Sequence, residues 1–132
     1  MASIRKEQSI RQSPDRVWDA VRDVGALHTR LVAGFVTDCR LDGDARIVSF
    51  ANGMTARELI VDVDDEQHRL CWAAVGAPIK HHNASLVILA EGDGHSRAIW
   101  TADLLPHELA PTVEAMMVQG LAAMKHTLEE SA

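Results

Sequence analysis

The stretch VEAMMVQGLAAMKHTL, residues 113–128, decides the fold of this chain. Its apolar side chains recur every three or four residues, which is the spacing of one face of an α-helix. A helix of roughly 18 to 22 residues is about 30 Å long, because each residue adds about 1.5 Å. Such a helix spans a small domain, so its apolar stripe needs an equally long partner surface. The stripe comprises Val113, Met116, Met117, Gly120, Leu121, Met124 and Leu128.

The residues before Pro106 predict that partner surface, an antiparallel β-sheet. Six runs of β-branched or alternating apolar residues follow Gly34, and turn signals such as Asn52-Gly53 separate them. The runs are 36–41, 45–50, 55–63, 70–75, 84–90 and 98–105. Connections this short cannot hold crossover helices, so we expect the strands to be antiparallel. Residues 3–11 predict a weaker seventh strand at an edge.

Two short helices are expected between the first strand and the rest of the sheet. Ser13 suits the N-cap, Pro14 suits the first helical position because its missing N–H costs nothing there, and Asp15 faces the positive end of the helix dipole. Gly25 predicts the end of this helix, and residues 26–31 predict a second one. The whole pattern is typical of an α+β fold in which a sheet curls around one long helix.

Composition limits the protein class and its partners. At 132 residues and 14.4 kDa, residues 1–132 have the size of a single domain. Hydrophobic residues make up 47% and charged residues 24%, as in a globular protein. The net charge of −6 and the lack of a basic patch argue against nucleic acid as a partner. No apolar run is long enough to span a membrane and we expect no signal peptide, so we predict a cytoplasmic protein.

Cysteines, histidines and glycines lack the spacings of common catalytic or cofactor sites. Cys39 and Cys71 stand alone, so we expect both to be reduced and buried. His81 and His82 are adjacent on a strand and project to opposite faces, so they cannot chelate one metal ion together. A phosphate-binding glycine loop, a Gly-x-Ser-x-Gly motif and a Cys/His nucleophile arrangement are all missing. We therefore predict no cofactor and no metal site.

Five short motifs lie in order along nearly the whole chain, from Ser9 to Leu128. They are SPDRVW (13–18), AREL (56–59), DDE (64–66), RLCW (69–72) and IWT (99–101), and the last helix carries Gly120. As an ordered set they resemble the START-like (SRPBCC) superfamily, and within it the polyketide cyclase/dehydrase-type helix-grip proteins. The resemblance implies a seven-stranded antiparallel curved sheet wrapped around a long C-terminal helix, with two short helices after strand 1. It also implies a cavity for an apolar or amphipathic small molecule between sheet and helix, without fixing an activity.

A cavity of this kind would destabilise the folded protein if it stayed empty. An apolar void of ~300 Å³ would cost about 7 kcal/mol, which is comparable to the stability of a whole domain. We therefore expect a smaller, hydrated or ligand-filled cavity. The flexible Met116, Met117 and Met124 suit an adaptable lining, although a methionine-rich core is the alternative. Gly120 indicates either close helix-to-sheet packing or room for a ligand.

The resemblance, carried over by motif position, places nine residues at the cavity. They are Glu58, Cys71, Ala73, Val75, His82, Ala84 and Trp100 on the strands, with Met116 and Gly120 on the helix, and the apolar helix stripe adds Met117 and Met124. Buried Glu58 would need an offsetting cation such as Arg57 or Lys80, and a solvent-facing ion pair is its alternative. Trp100 would stack on a ring or donate its indole N–H, unless it is plain core. Which of Lys80, His81 and His82 faces the cavity stays open, because the preceding loop leaves the register undetermined.

Three functions are compatible with these features. The first is binding of a small hydrophobic or amphipathic ligand, such as a lipid, polyketide or aromatic compound, which enters between the turns at residues 52–53 and 76–78. The second is a polyketide cyclase, aromatase or dehydratase with Glu58 or His82 as general base. The third is a protein-interaction module, which requires a filled interior and a large exposed apolar patch. No feature of the sequence supports or excludes a homodimer.

Overall fold

Seven strands and two α-helices make up residues 2–130, which are the residues that the computed structural model describes. In chain order the elements are β1 (Ala2–Ile10), α1 (Pro14–Arg22), β2 (Val36–Asp42), β3 (Ala45–Phe50), β4 (Thr55–Asp64), β5 (Arg69–Val75), β6 (His81–Ala90), β7 (Ser96–Leu105) and α2 (Ala110–Glu130). A single π-helical turn, Leu27–Leu31, stands where the second short helix was predicted. A 3-10 turn, His107–Leu109, precedes α2.

All seven strands form one antiparallel sheet in the order β1-β7-β6-β5-β4-β3-β2. Strands β2 to β7 follow one another as hairpins, and β1 pairs with β7 from Ala2 opposite Leu104 to Ile10 opposite Ser96. The predicted α+β helix-grip fold, with its seven-stranded antiparallel sheet and long C-terminal helix, is confirmed.

Strand β6 is longer than the sequence predicts. It begins at His81 rather than at residue 84, because His81 and His82 pair with Leu105 and Leu104 of β7. Histidine has little strand preference of its own, so only the neighbouring strand makes this segment extended. The extension fixes which of the two histidines faces inward.

Helix α1 begins and is anchored as its sequence indicates. The Ser13 hydroxyl accepts a hydrogen bond from the Arg16 backbone N–H at 3.3 Å. Its Trp18 side chain donates an indole N–H to Asp65 at 2.8 Å and stacks on the His68 ring with centroids 5.4 Å apart. These contacts join α1 to the turn between β4 and β5.

Helix α2 buries the predicted apolar stripe in a core shared with the sheet. Met117, Gly120, Leu121, Met124 and Leu128 are its buried residues. The strand side chains of the same core include Ile10, Leu70, Ile88 and Leu104, which are fully buried. The helix therefore depends on the sheet for most of its stabilisation.

The C-terminal end of α2 is tied to the segment between β1 and α1. The Glu129 carboxylate accepts hydrogen bonds from the Lys125 ammonium at 2.7 Å and from the Arg11 backbone N–H at 2.9 Å. These contacts, with the Arg11 guanidinium, lower the pKa of Glu129 to about 2. Gln12 adds a hydrogen bond to the Leu128 carbonyl at 3.2 Å.

Both cysteines are buried thiols without a disulfide, as predicted. Burial raises the pKa of Cys39 and of Cys71, so both are protonated at neutral pH and poor nucleophiles. Within residues 2–130, no helix combines the length and the apolar character that crossing a membrane requires.

We expect Leu121→Ala to lower the free energy of unfolding by about 2 to 5 kcal/mol, because it leaves a cavity in the core where the Leu121 side chain is packed. Leu121 is 2% exposed, whereas Val118, at the solvent-exposed edge of the same helix, is 52% exposed. Val118→Ala is the matched control and should change stability by less than about 0.5 kcal/mol. Urea denaturation measures both, and equal losses would contradict this orientation of α2.

Candidate ligand-binding cavity

A cavity of about 220 Å³ lies between the inside of the sheet, the π-helical turn and α2. Its wall is mostly apolar and includes Leu31, Phe35 and Trp72. Exposed residues also line it, namely Met54 after β3, Pro78 between β5 and β6, and Thr112 at the start of α2. The cavity therefore opens to solvent where these three segments meet.

A buried ion pair lies in this wall. The Arg46 Nε donates to the Glu58 carboxylate at 2.8 Å, and the two side chains are only 3% and 12% exposed. The guanidinium also donates to the Val24 carbonyl at 3.3 Å and lies 5.5 Å from the centre of the Trp72 ring. The attraction between the two charges offsets the free-energy cost of burying them. This part of the wall is therefore polar but has no net charge.

His82 faces the cavity as a neutral imidazole. Its Nδ1 accepts a hydrogen bond from the Ala74 backbone N–H at 2.9 Å. Burial lowers the pKa of His82; the Glu58 carboxylate opposes this effect and His81 adds to it. A neutral ring that accepts at Nδ1 carries its proton on Nε2, so Nε2–H is a donor.

The same hydrogen bond crosses a gap in the sheet. Pairing between β5 and β6 runs only from Arg69 opposite Val87 to Trp72 opposite Ala84. Beyond that point β5 stays paired with β4, and β6 stays paired with β7. The sheet is therefore split at the mouth of the cavity, and the His82 side chain takes the place of a strand-to-strand hydrogen bond there.

Gly120 lets two aromatic rings approach α2 closely. A Cβ atom at this position would lie 2.9 Å from Trp100 Cζ3 and 3.2 Å from Phe35 Cε2. The Trp100 ring also contacts Trp72, with centroids 5.7 Å apart. Its indole nitrogen is buried and has no hydrogen-bond partner among residues 2–130, which costs about 1 to 3 kcal/mol.

The sequence comparison decides the family. A family model described as "Polyketide cyclase / dehydrase and lipid transport" matches residues 1–129. The chain belongs to this family. The resemblance drawn from the sequence motifs is thereby confirmed. No curated protein matches the chain.

Solved structures with the same fold include an uncharacterised protein, a synthase and an aromatase/cyclase. An uncharacterised protein from Bacillus thuringiensis superposes with a TM-score of 0.85 at 18% identity, over 96% of this chain and 98% of that one. Norcoclaurine synthase from Thalictrum flavum, in complex with dopamine and hydroxybenzaldehyde, gives a TM-score of 0.72 at 16% identity, over 98% and 85% of the two chains. The di-domain aromatase/cyclase BexL gives a TM-score of 0.81 at 12% identity, over 98% of this chain and 47% of that one. At these identities the likeness shows the fold alone.

The polyketide cyclase/dehydrase fold brings most of the predicted site residues to the cavity. Those that line it are Glu58, His82, Trp100, Met116, Met117, Gly120 and Met124. The counter-charge of Glu58 is neither of the cations expected from the sequence but Arg46. Lys80 and His81 are exposed and lie outside the lining, so His82 is the one of the three that faces inward.

The inward orientation predicted for Cys71, Ala73 and Val75 is wrong. Cross-strand partners share a face, and Glu58 is opposite Ala74 while Trp72 is opposite Ala84. Leu70, Trp72 and Ala74 therefore line the cavity, and the alternate residues of β5 face the other way. The prediction failed because β5 is apolar on both faces, so alternation carried no signal.

Ala84 is also misplaced by the prediction, although less severely. It is on the inner side of the sheet, opposite Trp72, but it is 1% exposed and lies in the core rather than in the cavity lining. Its small side chain lies in the packed part of the sheet, where the β5–β6 pairing is still intact.

Arg46 and Trp72 line the cavity, although the sequence interpretation did not name them as site residues. Arg46 lies on β3, two residues before Val48 and four before Phe50. Period-two alternation places all three on one face, which is the cavity face. A charged residue in that position is a signal for a buried partner, and Glu58 is directly opposite it.

We expect Glu58→Ala to lower the free energy of unfolding by about 3 kcal/mol, because it leaves the Arg46 guanidinium buried without a counter-charge. The double variant Arg46→Met/Glu58→Leu should recover most of this loss, since neither charge then needs to be desolvated. Asp42→Ala breaks the exposed pair with Arg57 and should change stability little in urea denaturation. A double variant as unstable as Glu58→Ala would contradict the assignment.

We expect the free energy of unfolding to fall as the pH drops below about 6.5, the ordinary pKa of histidine. The pKa of His82 is lower in the folded state than in the unfolded chain, so the unfolded chain binds the proton first. The stability is fully present above pH 6.5 and decreases as the pH falls toward the folded-state pKa. Urea denaturation at several pH values between 5 and 8 measures this dependence. His82→Leu should make the free energy of unfolding depend less on pH, whereas the exposed control His81→Leu should leave the dependence unchanged.

Proposed function

We propose that this protein binds a small, mainly apolar molecule in the cavity between the sheet and α2. The observation that supports this most directly is an apolar hollow of about 220 Å³ that opens to solvent. An interaction module would instead need a filled interior. Leaving such a hollow empty would cost about 5 kcal/mol, which is a large part of the stability of a domain.

The volume favours a single substituted ring or a short chain. An apolar cavity of about 150 Å³ is known to hold one benzene molecule. The present cavity is larger, so it has room for a ring with a small substituent, and its opening allows a longer molecule to project outward. The methionines on α2 let the wall adjust to different shapes.

The wall also suits an amphipathic ligand. Aromatic rings of Trp72 and Trp100 can pack against an apolar group, while Arg46, Glu58 and His82 supply hydrogen bonds. The family description includes lipid transport, and a protein of the same fold holds two small aromatic molecules. We propose that the ligand enters at the mouth between the β3–β4 turn and the β5–β6 loop.

Native mass spectrometry of freshly purified protein tests the proposal. We expect a fraction of the molecules to carry an extra mass that denaturation releases as a small organic compound. The stripped protein should then regain a ligand of this kind and show a change in tryptophan fluorescence. A stripped protein that binds neither the released compound nor simple alkylbenzenes would contradict the proposal.

We expect Gly120→Ala to weaken ligand binding by roughly three- to tenfold, or about 1 kcal/mol. The added methyl group would push the Trp100 ring toward the cavity and reduce its volume. The gain of up to about 1 kcal/mol in helix propensity opposes the cost of crowding Trp100 and Phe35, and urea denaturation of the variant shows that a loss of affinity does not reflect unfolding. Gln119→Ala on the exposed face is the control and should leave affinity unchanged.

Cyclisation or dehydration of a bound substrate is the second candidate function. It is favoured by the presence of a carboxylate, Glu58, and an imidazole N–H donor, His82, in one cavity. In this arrangement Glu58 would accept a proton from the substrate and return it in a later step, while the neutral His82 would stabilise a developing oxyanion by a hydrogen bond from Nε2–H. A pH–rate profile measured on a cyclising substrate, and altered in Glu58→Gln and in His82→Leu, would support it. Tight binding of such a substrate without turnover would rule it out.

A further inference from the structure

We propose that the cavity prefers an uncharged ligand that carries a hydroxyl group over a carboxylate of the same shape. This inference rests on the proposed binding function and names the ligand class of the same site. It follows from a row of hydrogen-bonding groups across the inner face of the sheet, formed by Arg46 on β3, Glu58 on the neighbouring β4 and, beyond β5, His82 on β6. We call these three residues the polar row.

Arg46 keeps donors that no residue uses. Its Nε binds Glu58 and its Nη1 binds the Val24 carbonyl, and Nη2 has no partner among residues 2–130. The side chain is 3% exposed and lines the cavity, so water or a ligand inside the cavity is the partner that remains for Nη2. A hydrogen-bond acceptor on a ligand would satisfy this guanidinium.

Glu58 and His82 supply an acceptor and a donor beside each other. Only Oε1 of Glu58 is engaged within the described chain, so Oε2 is left to accept a further hydrogen bond. Ala74 lies between the two residues, since it pairs with Glu58 and donates its N–H to His82 Nδ1. Its side chain is a single methyl group, which leaves space above it for a ligand atom that contacts both neighbours.

The charge of the polar row decides which ligand group suits it. Arg46 and Glu58 cancel, His82 is neutral, and no other charged side chain lines the cavity among residues 2–130. A carboxylate would add an uncompensated negative charge beside Glu58 in an apolar enclosure. A hydroxyl group can donate to Glu58 Oε2 while it accepts from Arg46 or His82. The row therefore matches a phenol or alcohol better than an acid.

The test compares three probes at pH 7.5 that share the propylbenzene skeleton and differ only in the para substituent: propylbenzene, 4-propylphenol and 4-propylbenzoate. At this pH the phenol is neutral and the benzoate is ionised. Fluorescence of Trp72 and Trp100, which both line the cavity, reports binding. We expect the phenol to bind more tightly than propylbenzene and at least about tenfold more tightly than the benzoate.

Glu58→Gln checks that the discrimination comes from charge. The amide removes the negative charge and leaves Arg46 positive, so the benzoate should gain affinity until it binds at least as tightly as the phenol. Glu66→Gln, in the exposed turn after β4, is the matched control and should keep the wild-type preference. A benzoate that binds the wild-type protein as tightly as the phenol would overturn the inference even if the variant fails to fold. Failure of all three probes to bind would instead overturn the proposed function itself.

Discussion

The apolar stripe of α2 packs against the inside of one curved sheet, and the other features of the protein depend on this contact. Most of the stability of a helix in a protein comes from packing of its apolar face, so the 21-residue α2 depends on its contact with the sheet. Toward the C-terminal end the contact is tight, where Leu121 and Leu128 are buried and Glu129 is clamped by Arg11 and Lys125. Toward the N-terminal end the sheet and the helix diverge, and the cavity lies between them.

The interior of this cavity combines two properties that usually conflict. Apolar walls favour burial of a ligand, whereas buried charges oppose it unless they are paired. Arg46 and Glu58 resolve the conflict because each neutralises the other within hydrogen-bond distance. His82 adds a donor without adding charge, since burial lowers its pKa. The result is a polar row that can orient a ligand without attracting water as strongly as an isolated charge would.

The split between β5 and β6 lies at the mouth of the cavity. Strands in an intact sheet leave no passage between them, but here the ladder stops at Trp72 and Ala84, just before the loop that lines the mouth. One side chain, His82, completes the hydrogen bonding of Ala74 across the gap. The mouth of the cavity is therefore also a weakly paired part of the sheet, which suits an opening through which a ligand passes.

Local patterns in the sequence determined the element order, the antiparallel sheet and the buried face of α2, because a period of 3.6 or 2 depends only on neighbouring residues. The family resemblance placed Glu58 and Trp100 at the cavity, and the apolar helix stripe placed the methionines there. Only the tertiary structure decided which face of β5 points inward, that Arg46 rather than Lys80 pairs with Glu58, and that His82 bridges the sheet. These depend on register between strands, and a strand such as β5, apolar on both faces, contains no local signal for its register.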